Sequence, residues 1–494
     1  MLKKLSVVKN ASHTLAYSLV ALQEMNLAYN FPIIFWNCAC LITDSGGMPE
    51  IEEDGGVYFD EVETEEVVDI YEEENFEDYE YEDAPDRKTK KKKARSTNYD
   101  KIATALGQIR QEGVVVEPPD INFSSYTFKP DVDNNTIVYG LSGILNVGEE
   151  VIMDTIAKRP YSSPRDYYQK VKPKKGAMIS LIKAGAFDKM MDRKTCMGWF
   201  LWEVCDKKKR ITLQNMPGLI KYDLLPKEEE FTTSRRVYEF NRYLKAMCKY
   251  DSDYYKLDER ALAFLIELGL EEMIVDGLLN IKLWTKKYEI WMDTFRNWMK
   301  ENKNEILFSL NSTIFKEEWD KYAKGTIASW EMTALCYYYH DHELKHINKD
   351  KYGISNYFDL PETPEIERTF FKGGREINLF YLTKLVGTCI ARNKAKGLVT
   401  LLTPDGVVTV KLNKEHMALY DKQLSVKDQE TGKKKIVEKS WFGRGNMIMV
   451  QGVRNGDVFL AKKYAHSSMK HQLYKIVSID EDGNVEMQDE RKVV

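Results

Sequence analysis

No CxxC pair occurs in this sequence: its seven cysteines, Cys38, Cys40, Cys196, Cys205, Cys248, Cys336 and Cys389, are scattered over 494 residues. That spacing argues against a zinc ribbon or a dithiol redox centre. An odd, scattered count fits reduced thiols in a cytoplasm. Long apolar runs are missing too. The stretch FPIIFWNCACLI (31–42) is too short to span a bilayer, and Lys9, Asn10, Ser12 and His13 interrupt any signal-peptide core behind Lys3 and Lys4. There is no phosphate-loop lysine motif, no nucleophile elbow and no HExxH zinc motif. These absences predict a cytoplasmic protein without membrane contact, and with no metal or other cofactor of its own.

Acidic excess is also absent from most of the chain, although the net charge is −5. Residues 50–83 hold 18 of the 77 Asp and Glu and no Lys or Arg, so the remainder sets 72 basic against 59 acidic residues, a body of +13. A basic body fits a polyanionic partner. The acidic block is followed by RKTKKKKAR (87–95). Like-charge blocks resist burial, so 45–98 reads as a disordered insert. A sharper reading is that the acidic block imitates DNA and shields a basic groove.

What is present is a tandem small-residue hairpin. In YGLSGILNVGEEVIMDTI (139–156), Asn146-Val147-Gly148 precedes a helix opened by Glu149; in KKGAMISLIKAGAFDKM (174–190), Lys183-Ala184-Gly185 follows Leu181 and Ile182. Each reads as helix, tight turn, helix. Such turns expose backbone N–H groups at a helix N-terminus, where phosphate binds. Gly148 and Gly185 would turn with positive φ and let a phosphate approach; Asn146 tolerates the same conformation. A single glycine of this kind is usually a C-cap. Two copies, with Lys158, Arg159, Lys172, Lys174 and Lys175 between them, predict a sequence-independent grip on a duplex backbone.

Elsewhere the pattern divides into further parts. Residues 10–32 read as one helix capped by Asn10 or Ser12 and stopped by Pro32, apolar almost all round and so expected to be buried. With only nine residues before it, that helix looks cut away from its domain. Residues 206–375 read as a helical connecting region. From Leu382 the period switches to two, and five short strands with Asp405-Gly406 and Asn455-Gly456 turns match an OB-fold barrel over 376–466. Arg392, Lys394, Lys396, Lys411 and Arg444 could line a groove for a single strand; a barrel used only for protein contacts is the alternative. A hairpin around Asp482-Gly483 is expected within a C-terminal tail, 467–494. The fold class is therefore α+β and multidomain: mainly helical N-terminal and middle parts with tandem helix-hairpin-helix motifs, then a five-stranded OB-like barrel.

This order of motifs resembles the C-terminal half of the alpha subunit of bacterial DNA polymerase III, the C-family replicative polymerase. Asn10, Ser12, His13 and Tyr17 match its fingers motif, with Phe31-Pro32 as the turn after it. GVVVEPPDIN (113–122), YGLSGILNVGEE and LIKAGAFD (181–188) match the hairpin region, with Asn146 where the family usually has glycine. WEMTALCYYYHDHEL (330–344) resembles the helix before the OB domain. The resemblance covers roughly 1–200 and 326–465; the acidic insert and 206–325 depart from it. It implies that 1–44 complete a fingers domain, 99–205 hold product duplex, and the OB domain holds single-stranded template. It also implies that the catalytic aspartates and their two Mg²⁺ lie on a palm-bearing partner chain. Pro119-Asp120-Ile121-Asn122 and Pro130-Asp131-Val132-Asp133 imitate the palm signature but lack a third carboxylate in context, so no catalytic residue is assigned here. A sliding-clamp peptide is expected near Asn304, Leu307 and Phe308. Lysine- and tyrosine-rich composition suggests a large bacteriophage, and so a bacterial or phage-infected host cytoplasm. A stand-alone DNA-binding replication accessory factor is the alternative. His340, Asp341, His342, Glu343 and His346 could suggest a metal site, since His342 and His346 would share a helix face; packing explains them better.

Overall fold

The computed structural model describes residues 2–42, 98–427 and 434–491. The predicted insert 45–98 and its acidic and basic runs lie outside the described residues, apart from Asn98. The chain forms two compact units, residues 1–193 with 326–494, and residues 194–325. The boundaries therefore differ from the expected 205/206 and 375/376: hairpins and barrel belong to one discontinuous body, because the segment after Thr326 packs back onto both.

In the first unit, α1 (Leu2–Asn30) extends well beyond the expected start, so Asn10 and Ser12 lie inside the helix and do not cap it. It stops before Pro32, which opens a short turn of helix, Pro32–Phe35. The expected burial is not found. Leu15, Tyr17, Leu19, Leu22, Met25 and Leu27 are all exposed, because no described part of this unit covers them. Next, α2 (Tyr99–Gln111) is capped by Asn98, whose side chain accepts from Lys101 N. Its inner face approaches the barrel so closely that a Cβ on Gly107 would lie 2.1 Å from Val407 Cγ2. Short strands Val115–Glu117, Thr136–Val138 and Lys129–Asp131 form a small sheet, and then come α3 (Glu149–Ala157), α4 (Pro164–Val171) and α5 (Lys175–Ala184).

The barrel strands are β1 (Thr383–Asn393), β2 (Leu398–Thr403), β3 (Gly406–Lys411), β4 (Met447–Asn455) and β5 (Val458–Ala461). β1 pairs with β2 and β4, β2 with β3, and β5 closes the barrel by pairing parallel to β3 and antiparallel to β4. This is the closed five-stranded OB-like arrangement that the strand spacing and turn dipeptides predicted. Inward side chains such as Val399, Leu401, Val408, Val410, Ile448, Val450 and Phe459 fill it. The C-terminal hairpin, Leu473–Ile479 and Val485–Gln488, adds to the edge of β4. Two further features were not foreseen: a hairpin Ile366–Lys372/Arg375–Phe380, and a second, Leu424–Lys427/Lys434–Glu438, between β3 and β4.

Hairpins and barrel are joined by residues 326–348. Helix Ile327–Leu335 ends at Cys336, whose left-handed backbone (φ 58°) stops it. The expected helix through 344 is therefore shorter, and His342 and His346 are not on a helical face. Met332, Cys336 and Tyr338 pack with Ala103 of α2 and with Ile390 and Leu402 of the barrel. The second unit is built by helices including Glu229–Tyr243, Ile281–Glu301 and Lys303–Tyr322 around two cores, one centred on buried Trp284 and the other on Met292 and Phe295.

Candidate nucleic-acid interface

The first hairpin is presented to solvent. It is preceded by a single 3₁₀ turn, Leu141–Gly143, and not by the expected α-helix. Val147 is buried and anchors the loop, while Asn146 and Gly148 face outward. Asn146 carries the left-handed turn (φ 61°) that Gly148 was expected to carry; Gly148 is extended (φ −75°, ψ 159°) and caps α3 with no side chain bonding its free N–H groups. Asn146 Nδ2 also reaches Ser180 Oγ on α5 at 3.5 Å. Glu149 and Glu150 occupy the first turn of α3. They stabilise the helix dipole and would repel a phosphate, and in the loop before them Val147 N donates to Ile144 O at 3.4 Å.

The N-terminus of α5 is better suited to phosphate. Lys174 is its N-cap, no side chain bonds its first N–H groups, and its first turn holds no acid. Lys172 (φ 52°) ends α4, is exposed and stands two residues away. Lys174 is exposed, Lys175 half-exposed, and Lys158 exposed while paired to Asp154 at 2.6 Å. Arg159 has another task. Its Nε donates to Ile121 O at 2.8 Å and its Nη2 to Ser124 O at 2.5 Å, fastening 121–124 beneath the hairpins.

The second hairpin faces inward, which corrects the expectation for Ala184 and Gly185. Both are buried, and Lys183 is half-buried, with its ammonium held below the usual lysine range by desolvation. Gly185 does turn left-handed (φ 84°), but a Cβ there would lie 2.4 Å from Arg193 Nη2 and 2.7 Å from Asp188 Oδ2. The Arg193 guanidinium donates to Lys183 O (3.1 Å), to Asp188 (2.7 Å) and to the fully buried Glu331 (2.8 Å). Glu331 also accepts from the backbone N–H groups of Tyr339 (2.9 Å) and His340 (3.0 Å), and its Oε1 lies 2.6 Å from His340 Nδ1. The loop thus serves as a brace between the hairpins and residues 326–348.

On the barrel, Arg392, Lys394, Lys396 and Lys411 gather at one end of β1–β3. Arg392 and Lys394 share Asp421, at 3.2 and 3.7 Å. Arg392 and Arg444 line a groove of about 680 Å³ together with Lys439 and Lys475, two cations the sequence did not single out. Lys475 was missed because it sits on the strand added beside β4. Lys396 and Lys411 are exposed but lie outside this groove. The Arg444 guanidinium sits 5.9 Å from the centre of the Tyr99 ring.

Of the remaining candidates, Tyr17 is exposed on α1, and Asn10, Ser12 and His13 fall within that helix. Asn304, Leu307 and Phe308 lie in the first turns of Lys303–Tyr322, with Phe308 exposed. Asp120 accepts from Asn122 N and Phe123 N, and Asp131 from Asn134, so each Pro-Asp string is a turn-forming carboxylate. His342 is buried and held at a pKa of about 4 by desolvation; Leu344 N donates to its Nδ1, and its Nε2 bonds Leu402 O at 2.8 Å. Among the described residues no cluster of His, Cys, Asp or Glu has metal-binding geometry, and no helix is long and apolar enough to cross a membrane.

A family described as helix-hairpin-helix motif matches residues 113–196. The chain is 34% identical over 493 residues to "Probable DNA polymerase YorL" of Bacillus subtilis (strain 168), and equally to a "DNA-directed DNA polymerase" of Bacillus phage SPbeta. Each match covers 97% of this chain and 35% of the relative, so the chain spans about a third of their length. Over 101 residues, 19% of this chain and 8% of the relative, it is 37% identical to the DNA polymerase III subunit alpha of Thermus aquaticus.

Proposed function

We propose that this chain, homologous along nearly its whole length to a phage DNA polymerase and at its hairpins to the DNA polymerase III alpha subunit, is the DNA-engaging C-terminal portion of a replicative polymerase. The observation that carries this reading is the pair of exposed turn residues Asn146 and Gly148 at the start of α3, together with the acid-free, lysine-rimmed start of α5. N–H groups and lysines address phosphates and not base edges, so the grip would travel along product duplex without regard to sequence. The barrel groove around Arg392 and Arg444 would hold single-stranded template.

Nucleotidyl transfer would reside on a palm-bearing chain, whose carboxylates would hold the two Mg²⁺; this chain's part is to keep primer and template in register. The exposed apolar α1, with Leu15, Leu22 and Met25, supports such a partner. A sliding clamp meeting Leu307 and Phe308 is a further expected contact. The test is duplex binding across a salt series. Changing Lys172 and Lys174 to Gln should weaken binding and reduce the slope of log K against log salt by about 2. Co-purification should recover a palm-bearing polymerase chain, and Leu22→Asp with Met25→Asp should abolish that recovery. A stable monomer that binds DNA with no such partner would overturn the reading in favour of an accessory factor.

A further inference from the structure

The second unit, residues 194–325, contains a basic cleft that neither the hairpins nor the barrel accounts for. Four consecutive cations, Lys207, Lys208, Lys209 and Arg210, line a cavity of about 700 Å³ whose one acidic lining residue is Asp206. They lie on irregular chain between helix Arg193–Val204 and the turn Leu213–Asn215. The run is held in place by its backbone. Lys208 N donates to Asn311 Oδ1 at 2.7 Å, and Asn311 Nδ2 donates to Lys208 O at 3.0 Å, so helix Lys303–Tyr322 fixes the segment and leaves side chains to the cleft. Asp206 is matched by Lys208 Nζ at 2.5 Å.

The floor is of a different character: Leu310, Ile314 and Gly218 are apolar, and Tyr222 forms part of the wall. Lys207 Nζ lies 5.0 Å from the Trp202 ring, and Tyr222 Oη donates to Glu317 Oε2 at 2.6 Å, a carboxylate that Lys221 matches at 2.6 Å. Cations beside Leu310, Ile314 and the one lining aromatic ring, Tyr222, match a strand whose phosphates and unstacked bases are both available. A duplex offers phosphates alone and would leave the floor unused. The volume lies in the range that encloses a ligand of small-molecule size, roughly 300–1,000 Å³, which a few nucleotides would fill.

We propose that this cleft is a single-stranded DNA site, separate from the barrel groove. The proposal rests on the polymerase-portion reading for the class of ligand, while the cleft's chemistry selects single strand over duplex. The test uses the whole chain and a fluorescein-labelled oligo-dT, with Lys207, Lys209 and Arg210 all changed to Gln. Lys209 and Arg210 are exposed and Lys207 is half-exposed, so the circular dichroism melting curve should move little. At about 0.1 M salt the single-strand affinity should fall roughly ten- to hundredfold, and the slope of log K against log salt should shrink by about 2. Duplex affinity should stay at the wild-type level, and a 5-iodouracil oligonucleotide should crosslink to Tyr222. Unchanged single-strand affinity and slope, with duplex binding intact, would overturn this site alone. An equal loss on duplex, or a crosslink only to the barrel, would also overturn it. Absence of all DNA binding in the wild type would instead sink the broader reading.

Discussion

Two glycines that look equivalent in the sequence should part company under substitution. Gly148 is extended, and a Cβ built there meets nothing within 4 Å. Gly148→Val should therefore cost folding at most about 1 kcal/mol, the range of helix N-cap exchanges. The same change places a branched side chain over the loop N–H groups, so duplex affinity should drop about tenfold, the worth of one charge-assisted hydrogen bond. Gly185→Ala should do the reverse. Its left-handed backbone costs an L-residue about 1–2 kcal/mol. The new methyl must also displace Arg193 Nη2, 2.4 Å from the built Cβ, from a guanidinium that serves buried Glu331. The total of about 2–4 kcal/mol should lower the thermal midpoint by roughly 5–10 °C, while surviving folded protein should bind duplex normally. Circular dichroism melts paired with fluorescence anisotropy on a short duplex read both quantities. The reasoning fails if Gly185→Ala keeps its midpoint and loses duplex affinity, or if Gly148→Val melts early.

Glu331→Ala should destabilise by about 2–4 kcal/mol, because it takes from the buried Arg193 one of its two carboxylates, leaving Asp188, and removes the acceptor of Tyr339 N and His340 N; urea titration measures it, and Glu331→Gln should recover part of the loss. The depressed pKa of His342, about 4 against an unfolded 6.5, means the unfolded chain takes up a proton first. Stability should hold above about pH 6.5 and fall by roughly 2–3 kcal/mol on going to pH 4.5. In unfolding titrations His342→Gln should flatten that slope. Thiol reagents should modify the exposed Cys38 in the native protein, whereas Cys389, buried and pushed up to about 12 by desolvation, should react only on unfolding. Phe308→Ala should leave the folding stability within about 0.5 kcal/mol of wild type and, if the helix start at 304–308 meets a sliding clamp, abolish clamp retention on a resin.

The barrel was legible because its signals are local. Alternation of period two, Asp405-Gly406 and Asn455-Gly456 specify strands and turns without reference to distant residues. The same holds for the hairpin at 146–148, where a small exposed turn abuts a strongly periodic helix. What could not be read depended on contacts far apart in sequence. Asp188 and Arg193 lie near Gly185 in the sequence, but the second carboxylate that turns Arg193 over the loop, Glu331, is 138 residues from it. Nothing in the 340–346 histidine cluster says that Cys336 will end the helix and send His342 to Leu402 O. The run Lys207–Arg210 was visible as letters, but its cleft needs Asn311 and Leu310 from another helix.

The inward turn of the second hairpin ties the two parts that the proposed function assigns to DNA. Arg193 bonds the carbonyl of Lys183, Glu331 holds Arg193, and the loop that leaves Glu331 packs Tyr338 against Thr388 of β1 at 3.0 Å. Leu145 N of the first hairpin donates to Ala334 O on the same helix as Glu331, at 2.9 Å. Both hairpins are therefore fastened to one short element, which is itself packed on the barrel. A polymerase needs its duplex grip and its template groove at a fixed separation, and a flexible linker would let that separation vary. Buried, fully partnered polar contacts at this junction fix it at the cost of making Gly185 unavailable to DNA. Under the proposed function the tandem hairpins would divide the labour: the first would meet the phosphates, while the second holds the first in register with the barrel.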